Sequence, residues 1–278
     1  MSDAVLVTGA STGIGLATAQ LLAREGFTVF AGVRNEVDAA RVAALPGVAA
    51  LTLDVTDAEQ IRDAAHTVHQ NGTPLRGVVS NAGIAIPGPL ELLPIDELRR
   101  QFEVNFFGAL AVAQAFLPML RATSGRLIFM SSISGQIASP FVGAYSSSKF
   151  ALEAAADTLR MELRGSRIHV SLIEPGNVNT PIWQKGRNGR ERLRALFPAE
   201  ALERYRPALE KLTSISEHQE RTGIEAIVVA QAVLHALTSR KPRARYAIGA
   251  PPAWMRAFFT RLPEKMRDRI LMRRMGFE

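Results

Sequence analysis

The side chains best suited to chemistry in this sequence are a phenol and a lysine four residues apart. Tyr145 and Lys149 bracket the run Tyr145-Ser146-Ser147-Ser148-Lys149, and that spacing puts both on one face of a helix. A free phenol titrates near 10, too high for proton exchange at neutral pH. A neighbouring ammonium favours the phenolate and lowers that value, so the pair reads as a tuned general acid/base. Ser132 lies thirteen residues before Tyr145, just after the apolar run 127–131. Its hydroxyl can hydrogen-bond a reacting oxygen and stabilise developing charge. Ser131 competes for that role, but strand alternation turns it to the opposite face. Tyr-x-x-x-Lys alone is equally an amphipathic helix with a solvated lysine, so the pair gains meaning only from the rest of the chain.

The N-terminus supplies that context. The run 4–8 leads into Thr8-Gly9-Ala10-Ser11-Thr12-Gly13-Ile14-Gly15. A chain passing there from strand to helix must turn sharply, and Gly9 supplies the backbone freedom. Gly13 leaves room for a pyrophosphate and Gly15 lets the helix lie close to the sheet. The helix N-terminus offers unpaired N–H groups to phosphates. Gly9, Ser11, Thr12, Gly13, Ile14 and Gly15 are therefore candidate dinucleotide-binding residues. A second apolar run, 28–33, ends in Val33-Arg34. An NAD site carries an acidic residue near this strand end, for the ribose hydroxyls. Here a guanidinium follows an apolar residue, which suits a 2′-phosphate, with Ser11 able to donate a further bond. NADP(H) is expected over NAD(H); the competing reading of Arg34 is a solvated residue at a helix start.

These residues need a scaffold of alternating elements. Short apolar runs at 4–8, 28–33, 49–53, 77–80, 127–131 and 169–173, with a seventh near 246–248, read as buried strands. Stretches of helical period fall between them at 15–25, 37–45, 58–71, 95–121, 144–164, 201–215 and 224–237. Thr56 and Glu59 fit a capping box opening the third helix. Strand–helix alternation predicts an α/β fold: one Rossmann-type doubly wound domain, with a mostly parallel sheet of about seven strands and helices on both faces.

Composition limits the alternatives. The chain has 278 residues, 47% hydrophobic and 21% charged, with no cysteine. That balance fits a globular core and excludes disulfides, thiol nucleophiles and cysteine metal sites. The formal charge is +7, but it is concentrated in 185–194, with five basic residues against one acidic, and in 253–278, with seven against three. No chain-wide basic field exists, so no nucleic-acid partner is expected. His66 and His69 sit on a polar helix without carboxylate partners, and no metal site is expected. The longest apolar candidate, 226–237, is too short to span a bilayer. No signal peptide is read at the N-terminus, and a soluble, cytoplasmic protein is expected. In the tail, Met255, Phe259, Leu262, Met266 and Ile270 stand at helical spacing, interrupted by Pro263 and accompanied by Arg256, Arg267, Arg273 and Arg274. A helix packed on the body, a dimer contact and a peripheral membrane segment all fit.

The glycine turn and the Tyr145–Lys149 run together resemble the short-chain dehydrogenase/reductase family in its simple short form, over residues 4 to 250. Further matching motifs are Asp54-Val55, Asn81-Ala82-Gly83, Asn105, Ser132 and Pro175-Gly176-Asn177-Val178-Asn179-Thr180. Ser80 departs from the second Asn often found there. The segments 30–34, 53–57, 102–105 and 148–153 are similar to the retinol and 17β-hydroxysteroid dehydrogenase-like branch. The resemblance implies hydride transfer between a nicotinamide cofactor and the carbonyl or secondary alcohol of a bulky apolar substrate. It gives Lys149 a bond to the nicotinamide ribose and Asn105 a water connecting Lys149 to solvent. Asp54 and Val55 are to flank the adenine, and Asn81, Ala82 and Gly83 are to hold a strand end against the cofactor. Pro175 and Gly176 are to lead Val178 and Thr180 past the carboxamide. Residues 181–222 become a substrate lid inserted in a domain of residues 1–252, followed by the tail 253–278. Ile182 and Trp183 of the lid, with Ile137, Phe141 and Val142, are to wall an apolar pocket, with Ser132 orienting the substrate oxygen. No charged residue lies between Ile133 and Ala144, whereas 185–194 is either a solvated loop or a grip on an acidic group. Homodimers or homotetramers are implied. A protein that senses NADP without turnover is the alternative, although a sensor has no need of a tuned phenol.

Overall fold

The computed structural model describes residues 3–251 and 253–275. In chain order the first half gives β1 (Ala4–Thr8), α1 (Gly13–Arg24), β2 (Thr28–Val33), α2 (Glu36–Ala43), β3 (Val48–Thr52), α3 (Ala58–Gln70), β4 (Leu75–Ser80), α4 (Ile95–Phe102), α5 (Gly108–Thr123) and β5 (Arg126–Met130). The second half gives α6 (Gly143–Glu162), β6 (His169–Pro175), β7 (Val178–Asn179), α7 (Ile182–Arg194), α8 (Ala199–Thr222), β8 (Ile224–Glu225), α9 (Ala226–Thr238), β9 (Arg245–Ile248), α10 (Ala253–Arg261) and α11 (Glu264–Met275). Seven strands form one sheet in the order β3-β2-β1-β4-β5-β6-β9, and every pairing is parallel. The sheet is buried on both faces, which explains its near-continuous apolar strands. Leu6, Phe30, Val78 and Phe129 face α3, α5 and α6, where Val68, Phe116 and Leu152 meet them. Val5, Val7, Val29 and Ile128 face α1 and α9, where Leu22 and Val233 complete the opposite layer.

The strand order reverses at β1, which lies between β2 and β4. At such a switch point, the loops leaving the two strand ends diverge to opposite faces and leave a crevice. The glycine turn after β1 and Asn81 after β4 both border it.

Local signals differ from the sequence expectation in several places. Asp57, not Thr56, caps α3: its carboxylate accepts the N–H groups of Glu59 (2.9 Å) and Gln60 (3.1 Å). The Thr56 hydroxyl is already engaged with Asp54 (2.7 Å). The helix expected over 95–121 is interrupted by a π turn at Glu103–Phe107. The whole stretch Ile95–Thr123 is long and apolar enough to cross a membrane by length and composition, so it exceeds the 226–237 run. Its Val112, Phe116 and Leu120 are buried against the sheet, which is the behaviour of a core helix. Ile224 and Glu225 open no helix but pair with Val178 and Asn179 in a two-stranded parallel ribbon. Residues 185–194 are not a solvated loop: they belong to α7, with Gly186, Arg190 and Leu193 buried.

The tail helix α10 is docked by charge. Arg256 Nη1 lies 2.7 Å from Glu174 Oε2, and Glu174 has no exposed surface. Phe259 is half-buried, but Met255, Met266 and Ile270 are exposed, as are Trp254 and Phe258. The side chain of Arg274 and residues 276–278 lie outside the described residues. Removing one partner of a buried pair leaves the other uncompensated, although Arg245 Nε (3.1 Å) and Gln136 Nε2 (2.8 Å) still reach Glu174. Arg256→Met is expected to cost about 2 kcal/mol and lower Tm by roughly 4–8 °C, read by thermal unfolding. An unchanged Tm would mean that α10 is not anchored there.

Candidate active site

The cofactor cradle is built by close approach of backbones. Gly9 and Gly13 have φ of +63° and +56°, a region that side chains with a Cβ rarely occupy. A Cβ on Gly15 would sit 2.2 Å from the Gly9 carbonyl oxygen and 2.5 Å from Asn81 Nδ2. Thr12 caps α1 without a side-chain hydrogen bond, so the first-turn amides, including those of Ile14 and Gly15, keep their donors for a ligand. The turn is stapled to β4. Asn81 Nδ2 donates to the carbonyls of Thr8 (2.9 Å) and Gly9 (3.2 Å). Thr8 Oγ1 accepts the N–H groups of Asn81 and Ala82, both at 3.0 Å. Sequence reading passed over Thr8; its signal is a hydroxyl closing an otherwise apolar strand.

Arg34 is exposed at the end of β2 and has no hydrogen-bond or ion-pair partner among the described residues. Arg41, also missed, donates to the Ser11 carbonyl at 2.6 Å while paired with Asp38. Two guanidiniums therefore flank the same end of the glycine turn. Asp54 is used locally, accepting from Thr56 N at 2.9 Å. Val55 is buried, its carbonyl 2.6 Å from where a Cβ on Gly108 would stand. On the far side of the turn, the loop after β6 closes in. A Cβ on Gly13 would meet Thr180 at 3.2 Å, and one on Gly176 would meet the Gly249 carbonyl at 2.2 Å. Thr180 and Val178 are both buried.

The catalytic candidates converge at the neighbouring strand ends. Ser132 follows β5 in extended conformation and accepts from Ser134 N (3.1 Å). Its Oγ lies 3.5 Å from the Pro175 carbonyl oxygen. It stands near enough to the Tyr145 phenol to favour its ionised form. Tyr145 stands in the first turn of α6 and Lys149 in the next. Lys149 Nζ is 5.8 Å from the Tyr145 ring centroid and donates to the Met130 carbonyl at 2.7 Å. The lowering expected from Lys149 is not seen: burial raises the Tyr145 phenol, and only the Ser132 hydroxyl opposes it. Burial also pulls Lys149 down to about 8, with Glu153 opposing. Ser131 is buried beside Glu153 and does not compete with Ser132: its hydroxyl lies 2.9 Å from where a Cβ on Gly135 would be, and Glu153 Cγ at 3.0 Å.

Asn105 occupies the π turn and is 1% exposed. Its Oδ1 accepts Ile84 N (2.9 Å), and its Nδ2 donates to Ile84 O (3.0 Å) and Ser148 Oγ (3.1 Å). Such π turns recur at functional sites. Here the turn clasps the loop after β4 and links it to the catalytic helix. Gln101, overlooked in the sequence, makes a parallel clasp on Ile86 N and Ile84 O, both at 2.8 Å. A Cβ on Gly83 would stand 3.3 Å from Asn105 Oδ1 and 3.8 Å from Lys149 Nζ.

The apolar wall residues do not all meet. Ile182 lines a cavity of about 320 Å³ together with residues 83–86 and Leu193. Ile137, Phe141, Val142 and Trp183 are not among its lining residues. Phe141, with φ +65°, stacks edge-to-face on Tyr205 at 6.0 Å, and its carbonyl accepts Gly88 N at 2.7 Å. Val142 precedes α6, Ile137 is half-buried, and Trp183 Nε1 donates to Val178 O at 2.8 Å.

This arrangement has close parallels. The short chain dehydrogenase family model matches residues 3–191. The chain is 34% identical to the NADPH-dependent 3-dehydrocapnine reductase of Ornithobacterium rhinotracheale, over 95% of this chain and 94% of that one. It is also 34% identical to human 11-beta-hydroxysteroid dehydrogenase type 2, over 96% of this chain and 69% of that one. A Burkholderia phymatum short chain dehydrogenase/reductase solved with NAD shares the fold, with a TM-score of 0.78 at 24% identity over 95% of this chain and 93% of that one. A glycine cradle at the switch point, a Ser–Tyr–Lys cluster beside it and these likenesses lead to one assignment: the chain belongs to the short-chain dehydrogenase/reductase family and is an NAD(P)-dependent oxidoreductase.

Proposed function

We propose that the protein transfers hydride between NADP(H) and the carbonyl or secondary alcohol of a bulky apolar substrate, with Tyr145 as general acid/base. The observation that carries this is the convergence of Ser132, Tyr145 and Lys149 at the strand ends beside the glycine turn. The bound nicotinamide supplies or accepts the hydride. In reduction, Tyr145 Oη gives its proton to the substrate oxygen, which Ser132 Oγ holds by a hydrogen bond. Charged Lys149 stabilises the phenolate left behind. In oxidation the phenolate takes the proton. Asn105 fixes the Ile84 main chain beside Lys149 and keeps that wall in register; the relay water is part of this proposal. Gly9, Ser11, Thr12, Gly13, Ile14 and Gly15 would hold the pyrophosphate, Asp54 and Val55 the adenine side, and Asn81, Ala82 and Gly83 the central part. Pro175, Gly176, Val178 and Thr180 would border the nicotinamide.

The direct test is a panel of bulky ketones and secondary alcohols, followed at the absorbance of the reduced nicotinamide. Absence of any turnover with either cofactor would favour a binding-only protein.

The phosphate preference rests on Arg34, with Arg41 as a second guanidinium. Charge-assisted bonds of this kind contribute about 1.5–3 kcal/mol. Arg34→Ala should therefore weaken NADPH binding at least about tenfold and NADH binding less than about twofold. Equal losses would remove the 2′-phosphate assignment. The exposed Ile95, Phe107 and Phe150 support an assembly of two or four copies. Trp254 and Phe258 beside the tail arginines would give any peripheral membrane contact.

A further inference from the structure

We infer that the cavity between the loop after β4 and helix α7 holds the anionic end of the substrate, so that the substrate is an amphiphile with an apolar body and a carboxylate, phosphonate or similar group. This rests on the oxidoreductase reading for the apolar, reacting end. The cavity is walled by residues 83–86, Ile182 and Leu193, which are mostly apolar, by Asn188 and Gly189, and by the exposed cations Arg100, Lys185 and Arg192 at its rim. At one end Gly83, itself exposed, stands beside Lys149 and Asn105. A molecule lying along the cavity from Gly83 would thus touch both apolar surface and cations.

The basic run of α7 is divided between structure and cavity. Arg187 turns to Glu220 of α8, Arg190 donates to Thr213 Oγ1 at 2.7 Å, and Arg194 pairs with Glu191. The other two basic residues, Lys185 and Arg192, are seven apart, on the face that lines the cavity, about 10 Å apart along the helix. One carboxylate offsets the rim. Glu97 takes Arg192 (2.6 Å) and also Arg100 (2.6 Å). Lys185 is exposed and has no acidic partner among the described residues. Three cations against one anion leave the rim with an excess of two positive charges, facing a mostly apolar space. A neutral ligand gains nothing from that excess, whereas an anion gains charge-assisted bonds, weakened by solvent and salt because the three cations are exposed.

The test compares decanoate and decylphosphonate with decanol, and both with inorganic phosphate, on the NADP⁺-loaded protein. Binding is read by calorimetry at low and high salt. The wild type should prefer decanoate to decanol by about tenfold, with the preference shrinking at high salt. Lys185→Met and Lys185→Glu should each reduce that preference at least about fivefold. Glu97→Gln, which releases two guanidiniums, should increase it. Equal binding of decanoate and decanol, or a preference that both Lys185 variants leave intact, would overturn the proposal. So would inorganic phosphate binding as tightly as decylphosphonate, because the site would then recognise a bare anion. The oxidoreductase reading fails separately. If the preference behaves as expected but no ketone is reduced, the cavity assignment stands and the catalytic one falls; a reduced neutral ketone with no anion preference gives the reverse.

Discussion

Tyr145→Phe should bind NADPH within about threefold of wild type while hydride transfer falls by about 10³ or more. The ring stays, and the variant loses one oxygen, which stands near the Ser132 hydroxyl. Ser132 keeps Ser134 N and the Pro175 carbonyl, so the strand end should hold its shape. Losing the Tyr145 hydroxyl leaves Ser132, itself buried, with both of these partners. The effect should therefore fall on chemistry. Removing a positioned general acid commonly costs 10²–10⁴ in rate, and no other acid stands at Ser132 to replace it. Cofactor affinity measured by fluorescence titration and single-turnover rates with the best ketone of the panel separate the two consequences. Turnover within tenfold of wild type would mean that the proton comes from elsewhere, and the mechanism would have to be abandoned.

Much of this was legible in the sequence because the deciding signals are local. The five inner strands are near-continuous buried apolar runs, and Gly9, Gly13 and Gly15 sit where a turn and a close approach demand them. What escaped depends on atoms far apart in the chain. Thr8 and Gln101 look ordinary until their partners arrive from 73 and 15 residues away. The π turn at Glu103–Phe107 keeps the apolar rhythm of its flanking helices, so no periodicity could reveal it; only a buried Asn105 in a helix interior hinted at a reason. Helix α7 resembled a loop because Gly186 and Gly189 disfavour helix and its five basic residues repel. Glu220 and Glu97, from other elements, offset part of that repulsion, and Thr213 accepts from Arg190. At α3 two residues could cap, and tertiary context chose Asp57 by occupying Thr56.

Lys149→Met should do two opposite things: lower hydride transfer by about 10² or more and raise the stability of the fold. Lys149 is 3% exposed, and burial holds its pKa near 8 against an ordinary 10.5. Between those values the unfolded chain binds the proton and the folded chain does not, so stability rises with pH across that window. Below pH 8 the folded protein carries the whole cost of the buried charge, on the order of 3 kcal/mol. Methionine removes that cost but leaves the Met130 carbonyl without its donor, which returns about 1 kcal/mol. At pH 7 the net gain is about 2 kcal/mol, or roughly 4–8 °C in Tm for a chain of this size, and the rise of stability toward pH 10 should flatten. The same titration governs the wild-type reaction. Charged Lys149 draws the proton off Tyr145, so carbonyl reduction should decline as pH rises through about 8. Glu153 supports that charge, so Glu153→Gln should move the decline to lower pH. A Lys149→Met protein that melts lower than wild type at pH 7, together with a flat wild-type profile across pH 7 to 9, would mean that Lys149 is structural and that the phenol is tuned by something else.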